Sequence, residues 1–217
     1  MKNAKELRRR MKWMRRFKSR GFGGVFLLKD KSHRIFRNVE ALLQKYPNIH
    51  DLLVYYPIDY ELPLLSLYGR LIGAYRLFFP VTGESELSFY QVKSLDENSF
   101  IQGKMGIFEP KDRSNSRFQP SAAAAIVPGL VFSKKNKGRV GYGGGYYDRF
   151  LAEYPELLKI GACYEFQLIE NMKGEWKGSI LPQHQGDISM DRIATENGIY
   201  FGNDPRFSES YWMRRYE

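Results

Sequence analysis

RVGYGGGYYD, residues 139–148, holds the densest glycine cluster of the chain. Five glycines fall between Gly138 and Gly145, a density that lets a backbone take positive φ and approach a ligand with no Cβ in the way. Gly141, Gly143, Gly144 and Gly145 leave successive N–H groups available to phosphate oxygens. Tyr146 to Leu151 then reads as the opening turns of a helix, whose N-terminus adds positive potential. An ordinary tight turn collects glycine in the same way. The stretch has neither the Lys-Ser/Thr ending of a P-loop nor the spacing of a dinucleotide fingerprint.

Working outward, an apolar strand over 122–127 runs into Pro128-Gly129 just before the loop, and a further strand over 160–164 follows the helix. This is a β-loop-α-β unit, the arrangement in which open α/β sheets place ligands at the carboxyl ends of their strands. Upstream, 34–45 reads as a helix with Ile35, Val39, Leu42 and Leu43 inward, and 52–56 as a buried strand closed by Pro57. A helix over 63–72 leads to a strand over 75–79 that Pro80 stops, and 86–92 has the pattern of an edge or antiparallel strand. Residues 93–121 are polar and rich in turn formers, hence loop except around Gly106-Ile107. Arg192–Thr195 and Gly198–Phe201 are short terminal strands, and 203–217 is a polar, aromatic-containing tail with no assigned structure. The expected fold is α/β: a single three-layer Rossmann-like domain over 1–217 with a mostly parallel central sheet, preceded by a basic N-terminal helix.

Charge is concentrated in that helix. Residues 1–20 hold ten Lys/Arg and one acid, which leaves 24 basic and 23 acidic residues in the rest of the 217-residue chain, a nearly neutral body. Leu7, Met11, Met14 and Phe17 recur at helical spacing while Lys5, Arg8, Arg9, Lys12, Arg15 and Arg16 fill the other faces, and Gly21-Phe22-Gly23-Gly24 ends the helix. Docking with a solvated charged side, phosphate binding, and membrane or RNA contact are all open to such a segment. No apolar run approaches the length of a membrane span and the first residues are too charged for a secretory signal, so a cytoplasmic protein without membrane contact is expected. Cys163 is the only cysteine, in the apolar setting IGACY, which suits a buried structural thiol. His33, His50 and His184 are scattered and read as structural or surface residues.

An ordered series of motifs resembles the 5-formyltetrahydrofolate cyclo-ligase, or methenyltetrahydrofolate synthetase, family. The series comprises Tyr56 to Glu61, Phe79-Pro80, Gly106 to Pro110, Val127-Pro128-Gly129, RVGYGGGYYDRF, Phe166-Gln167, and Leu181-Pro182 followed by Asp187, Asp191, Thr195-Glu196 and Gly198. The resemblance covers nearly the whole chain. It implies an ATP- and Mg²⁺-dependent ring closure of 5-formyltetrahydrofolate to 5,10-methenyltetrahydrofolate, in which the γ-phosphoryl of ATP activates the formyl oxygen and the folate N10 attacks. Such chemistry asks the protein for alignment and charge stabilisation and for no nucleophile of its own, which fits a sequence with no triad.

Carried over residue by residue, the resemblance implies that Arg139 contacts ATP phosphates and that Val140, Gly141, Tyr142, Gly143, Gly144, Gly145, Tyr146 and Tyr147 form the nucleotide loop. Asp148 and Asp187 match the magnesium positions, with Arg139 and Asp148 as the catalytic pair and Asp191 as a supporting or capping residue. Lys5 and Arg9, with Arg8 competing, match cations of the first helix, although the leucine register is one residue off and sets Ala4 at the lysine position. Tyr56 and Glu61 match folate-contacting sites, to which Tyr146 or Tyr147 adds a stacking or hydrogen-bonding ring. The expected partners are 5-formyltetrahydrofolate and ATP, with no nucleic acid, on a monomer.

The sequence departs from the family pattern at Ser133, where an Asp is common, in one extra residue before Arg139, and at Gly144, which replaces the lysine of some members. A non-catalytic nucleotide- or RNA-binding protein on the same fold is the rival reading. An isomerase or acyl-CoA transferase on a similar scaffold is a third.

Overall fold

A computed structural model describes residues 4–19, 22–58, 60–103, 106–114, 117–176 and 179–201. Seven strands form one sheet in the order β11-β10-β9-β6-β1-β2-β3: β1 (Asp51–Leu53), β2 (Arg76–Thr82), β3 (Leu87–Val92), β6 (Ala123–Val127), β9 (Leu158–Ala162), β10 (Arg192–Thr195) and β11 (Gly198–Phe201). The five inner strands are mutually parallel, and β3 and β11 close the two edges antiparallel. Because β1 runs on to β2 on one side and has β6 on the other, the direction of winding reverses between β1 and β6. That reversal opens a crevice at the carboxyl ends of these two strands.

Strand alternation sorts the sheet into two cores. Leu52, Val54, Leu77, Phe79, Ala124 and Ile126 face helices α2 (Phe22–Leu43) and α3 (Leu65–Leu71), while Leu53, Phe78, Ala123, Ala125 and Val127 face α4 (Tyr146–Glu153). Helices on both faces of a mostly parallel sheet are the three layers expected. A third, smaller cluster seats α1 (Ala4–Lys18): Leu7 and Met11 pack on Leu130, Val131, Val140, Ile169 and Trp176. Among the described residues, no helix is long and apolar enough to cross a membrane.

Five expectations need correction. The buried strand expected over 52–56 is β1, which ends at Leu53, short of Pro57. The second helix starts twelve residues before position 34, so Phe22, Gly23 and Gly24 are helical and do not simply terminate α1. The periodicity was masked because Ser32, polar yet buried, occupies the inward stripe; its hydroxyl donates to the Leu28 carbonyl at 2.7 Å and lies 2.9 Å from the Tyr164 hydroxyl. Strand β2 passes through Pro80 to Thr82. Pro80 stands opposite Phe89, whose carbonyl accepts from the Phe118 N–H at 2.7 Å, so the missing N–H leaves no gap in the β2–β3 ladder. Residues 93–121 contain a hairpin, β4 (Phe100–Gln102) and β5 (Phe108–Pro110), set off by a single 3₁₀ turn at Glu97–Ser99. The strand expected over 160–164 lies two residues earlier, as β9. The tail over 203–217 lies outside the described residues.

The glycine-rich loop is presented by a two-residue hairpin, β7 (Val131–Phe132) paired with β8 (Arg139–Val140). Its anchor is the fully buried Phe132 ring, which lies over Gly161 of β9 so closely that a Cβ there would stand 2.6 Å from Phe132 Cε1. Ser133 completes the turn: its hydroxyl donates to Glu170 Oε1 at 2.6 Å, and the same carboxylate accepts from the N–H groups of Lys134 and Lys135. Glu170 thus places a carboxylate against the turn at Ser133. Replacing Gly161 by alanine forces the Phe132 ring out of its rotamer, and we expect Gly161→Ala to lower stability by about 1–3 kcal/mol, read by denaturant unfolding.

Candidate active site

Ladder geometry delivers the site. Beyond β1 come Tyr55 and Tyr56, beyond β6 comes Pro128, and the glycine-rich loop crosses between them; together with Glu61, Arg139, Asp148 and Asp187 they line a cavity of about 350 Å³ at the reversal in winding. Gly145 caps the N-terminus of α4 with φ 68°, and no side chain caps that end, so the first N–H groups of α4 open beside the cavity.

Arg139 is almost wholly buried, at 4% side-chain exposure. Its Nη2 donates to Asp148 Oδ1 at 2.8 Å and its Nη1 to the Pro128 carbonyl at 3.2 Å, while Nε is buried with no hydrogen-bond partner. Asp148 Oδ1 also accepts from the Ile188 N–H at 3.3 Å, which brings the loop carrying Asp187 against the start of α4. Asp187 in turn accepts from the His184 N–H at 2.8 Å through Oδ2. Each carboxylate therefore retains one oxygen without a hydrogen bond. Two such oxygens from separate segments fit a hard divalent cation such as Mg²⁺, which takes one or two carboxylates and fills its other positions with water and phosphate. Among the described residues no group of three or more His, Cys, Asp or Glu is placed to hold a metal.

The opposite wall carries the aromatic and acidic residues. Tyr56 is packed between Phe100 and Phe108, with ring centroids 5.1 and 5.0 Å away, which gives the hairpin of 93–121 a structural task the sequence did not disclose. Glu61 has only 6% side-chain exposure. Its Oε1 accepts from the Tyr142 hydroxyl at 2.8 Å and its Oε2 from the Ile58 N–H at 3.1 Å. Tyr146 donates to the Glu84 carbonyl at 3.2 Å. The Tyr147 hydroxyl is buried without a partner; burial and then the Glu61 charge push its pKa up, against the pull of Arg139, so it remains an O–H donor.

Of the three cations proposed on α1, the structure brings Arg8 to the loop, its Nε donating to the Gly141 carbonyl at 3.0 Å and its guanidinium lying beside Gly143. Ala4 lines the cavity one turn earlier, whereas Lys5 is exposed and outside the lining and Arg9, 82% exposed, pairs with Glu6 at 3.6 Å. The buried stripe of Leu7 and Met11 sets this rotation, because positions 4 and 8 share a face that 9 does not. Asp191 is away from the cavity, buried against Lys159, whose N–H and Nζ it meets at 2.7 and 3.1 Å. Cys163 is buried, and burial raises its pKa, as befits an inert thiol.

Sequence reasoning missed Arg15, the third member of the buried stripe. It has 4% exposure and donates from Nε to the Tyr60 carbonyl at 2.9 Å and from Nη1 to the Tyr142 hydroxyl at 3.2 Å. The available signal was an arginine four residues after Met11 and eight after Leu7, at a position where the helix calls for an apolar side chain.

Comparison with known proteins bears on the fold and the family. The chain is 29% identical to 5-formyltetrahydrofolate cyclo-ligase of Mycoplasma genitalium over 68% of its length and 81% of the relative's. It is 26% identical to the Mycoplasma pneumoniae cyclo-ligase over 77% of its length and 87% of that chain. The solved 5,10-methenyltetrahydrofolate synthetase of Aquifex aeolicus superposes with a TM-score of 0.73 at 27% identity, covering 94% of both chains. The Mycoplasma pneumoniae synthetase, at 21% identity and a TM-score of 0.66, shares the fold. The profile of the 5-formyltetrahydrofolate cyclo-ligase family matches residues 1–196, and the chain belongs to that family.

Proposed function

We propose that the protein closes 5-formyltetrahydrofolate to 5,10-methenyltetrahydrofolate at the expense of ATP, with Mg²⁺ as cofactor. The observation that carries this reading is the convergence of Arg139, the N-terminus of α4 with its Asp148, and Glu61 on one cavity. A formamide carbon is a weak electrophile and its oxygen a poor leaving group. Transfer of the γ-phosphoryl group to that oxygen makes it leave as phosphate when N10 bonds to the formyl carbon, and N10 gives up its proton to complete the methenyl cation.

The protein's part is electrostatic and positional. Arg139 holds phosphate oxygens with a guanidinium that cannot lose its proton, and the loop N–H groups and Arg8 add donors around them. Asp148 and Asp187 hold Mg²⁺, which when bound neutralises charge on the phosphates. Glu61 accepts from the donor edge of the pterin while Tyr56 walls the ring. Tyr147 offers an O–H to an acceptor on the substrate or the transferring group.

The test follows the near-ultraviolet absorbance of the methenyl product with 5-formyltetrahydrofolate, ATP and Mg²⁺. Product formation needs all three, and Asp148→Asn lowers kcat/KM by about 100-fold or more while circular dichroism stays native. A folded wild-type protein that forms no product rejects the reading. Gly143, at φ 109°, sits where an L side chain is strained. We expect Gly143→Ala to weaken binding of a fluorescent ATP analogue by about tenfold, with folate binding less affected.

A further inference from the structure

We infer that Arg15 is a positioning residue for folate recognition: lying behind the cavity wall, it orients the Glu61 carboxylate through a three-residue clasp with Tyr142. The inference rests on the cyclo-ligase reading above. Arg15 itself does not line the cavity, whereas Glu61 and Tyr142 both do. A charged side chain at 4% exposure, in line with Leu7 and Met11 on the inward stripe of α1, replaces an apolar residue that would pack there at no desolvation cost. The geometry shows what the charge does.

Its Nε bonds the Tyr60 carbonyl and so fixes the turn that carries Glu61; its Nη1 bonds the Tyr142 hydroxyl, which donates onward to Glu61 Oε1 at 2.8 Å. Its Nη2, buried and without a hydrogen bond, lies 3.8 Å from the same oxygen. The Tyr142 hydroxyl is thus an acceptor toward Arg15 and a donor toward Glu61, a polarised chain that strengthens the second bond. The guanidinium lies beside a nearly buried carboxylate, whose two oxygens are acceptors suited to two donors of an aminopteridine edge. Tyr142 belongs to the glycine-rich loop, Glu61 to the segment after β1, and Arg15 to α1, so one side chain joins three parts of the site that lie far apart in the sequence.

The experiment measures KM for each substrate and equilibrium binding of 5-formyltetrahydrofolate by calorimetry, in the full chain. The variants are Arg15→Met, Arg15→Lys, Tyr142→Phe, Glu61→Gln and the double variant Arg15→Met/Glu61→Gln. Arg15→Met is expected to weaken folate binding and raise folate KM by about tenfold, with ATP KM within about twofold of wild type. Arg15→Lys, which retains charge but not the fork, recovers only part of the loss. In the double variant, loss of Arg15 adds nothing to the effect of Glu61→Gln, because the residue acts through that carboxylate.

An Arg15→Met protein with unchanged folate affinity, an equal rise in both KM values, or additive losses in the double variant overturns the inference. Should Arg15→Met fail to fold, Arg15→Lys and Tyr142→Phe decide it by the same split between substrates. A wild-type protein that binds folate and does not turn it over rejects the catalytic reading, and the calorimetric series still decides the role of Arg15. A wild-type protein that binds no folate overturns both.

Discussion

The 2.8 Å ion pair between Arg139 and Asp148 is the interaction on which the geometry of the site depends. It spans the glycine-rich loop from its first residue to the opening turn of α4, and the Ile188 N–H bonded to the same Asp148 oxygen draws in the third loop. Burying a guanidinium costs several kcal/mol that a single partner does not fully repay. Asp148 is 25% exposed and Arg139 4%, so the arginine bears most of the desolvation and is left with Nε unbonded. A polyanion entering the cavity relieves that debt.

Behind the pair stands a constraint of packing. The hairpin that supports the loop packs on β9, where the Phe132 ring occupies the space a Cβ of Gly161 would take. The reversal in strand order makes the crevice, the hairpin sets the height of the loop above it, and the ion pair sets the breadth of the loop. Each step limits the next, which is why residues from 4 to 187 meet in one cavity.

Much of this was legible in the sequence, and what was not has identifiable causes. The apolar runs located β6 and the start of β1, and the glycine cluster located the loop. Ser32 hid the first half of α2, since hydropathy scores a residue by type while the helix uses its hydroxyl as a buried partner for Tyr164. Pro80 reads as a stop in the sequence because a one-dimensional pattern cannot tell which side of a strand lacks a ladder bond. In the sequence Arg15 is indistinguishable from the solvated cations of α1: charge says where a residue is costly to bury, and only the fold shows that Glu61 and Tyr142 meet that cost.

Unsatisfied buried donors offer one more argument about the ligand. Arg139 Nε and the Tyr147 hydroxyl are both buried without a hydrogen bond, and both residues line the cavity. Native proteins rarely leave such groups unpaired, and where they do the exceptions call for a cause. These two are donors. The complementary ligand is rich in acceptor oxygens at this end of the cavity, as a triphosphate and a formyl group are, while at the far wall the acceptor Glu61 calls for the opposite. A molecule with oxygens at one end and an amino-substituted ring at the other satisfies both walls, and two substrates meeting head to head satisfy them more fully than either alone.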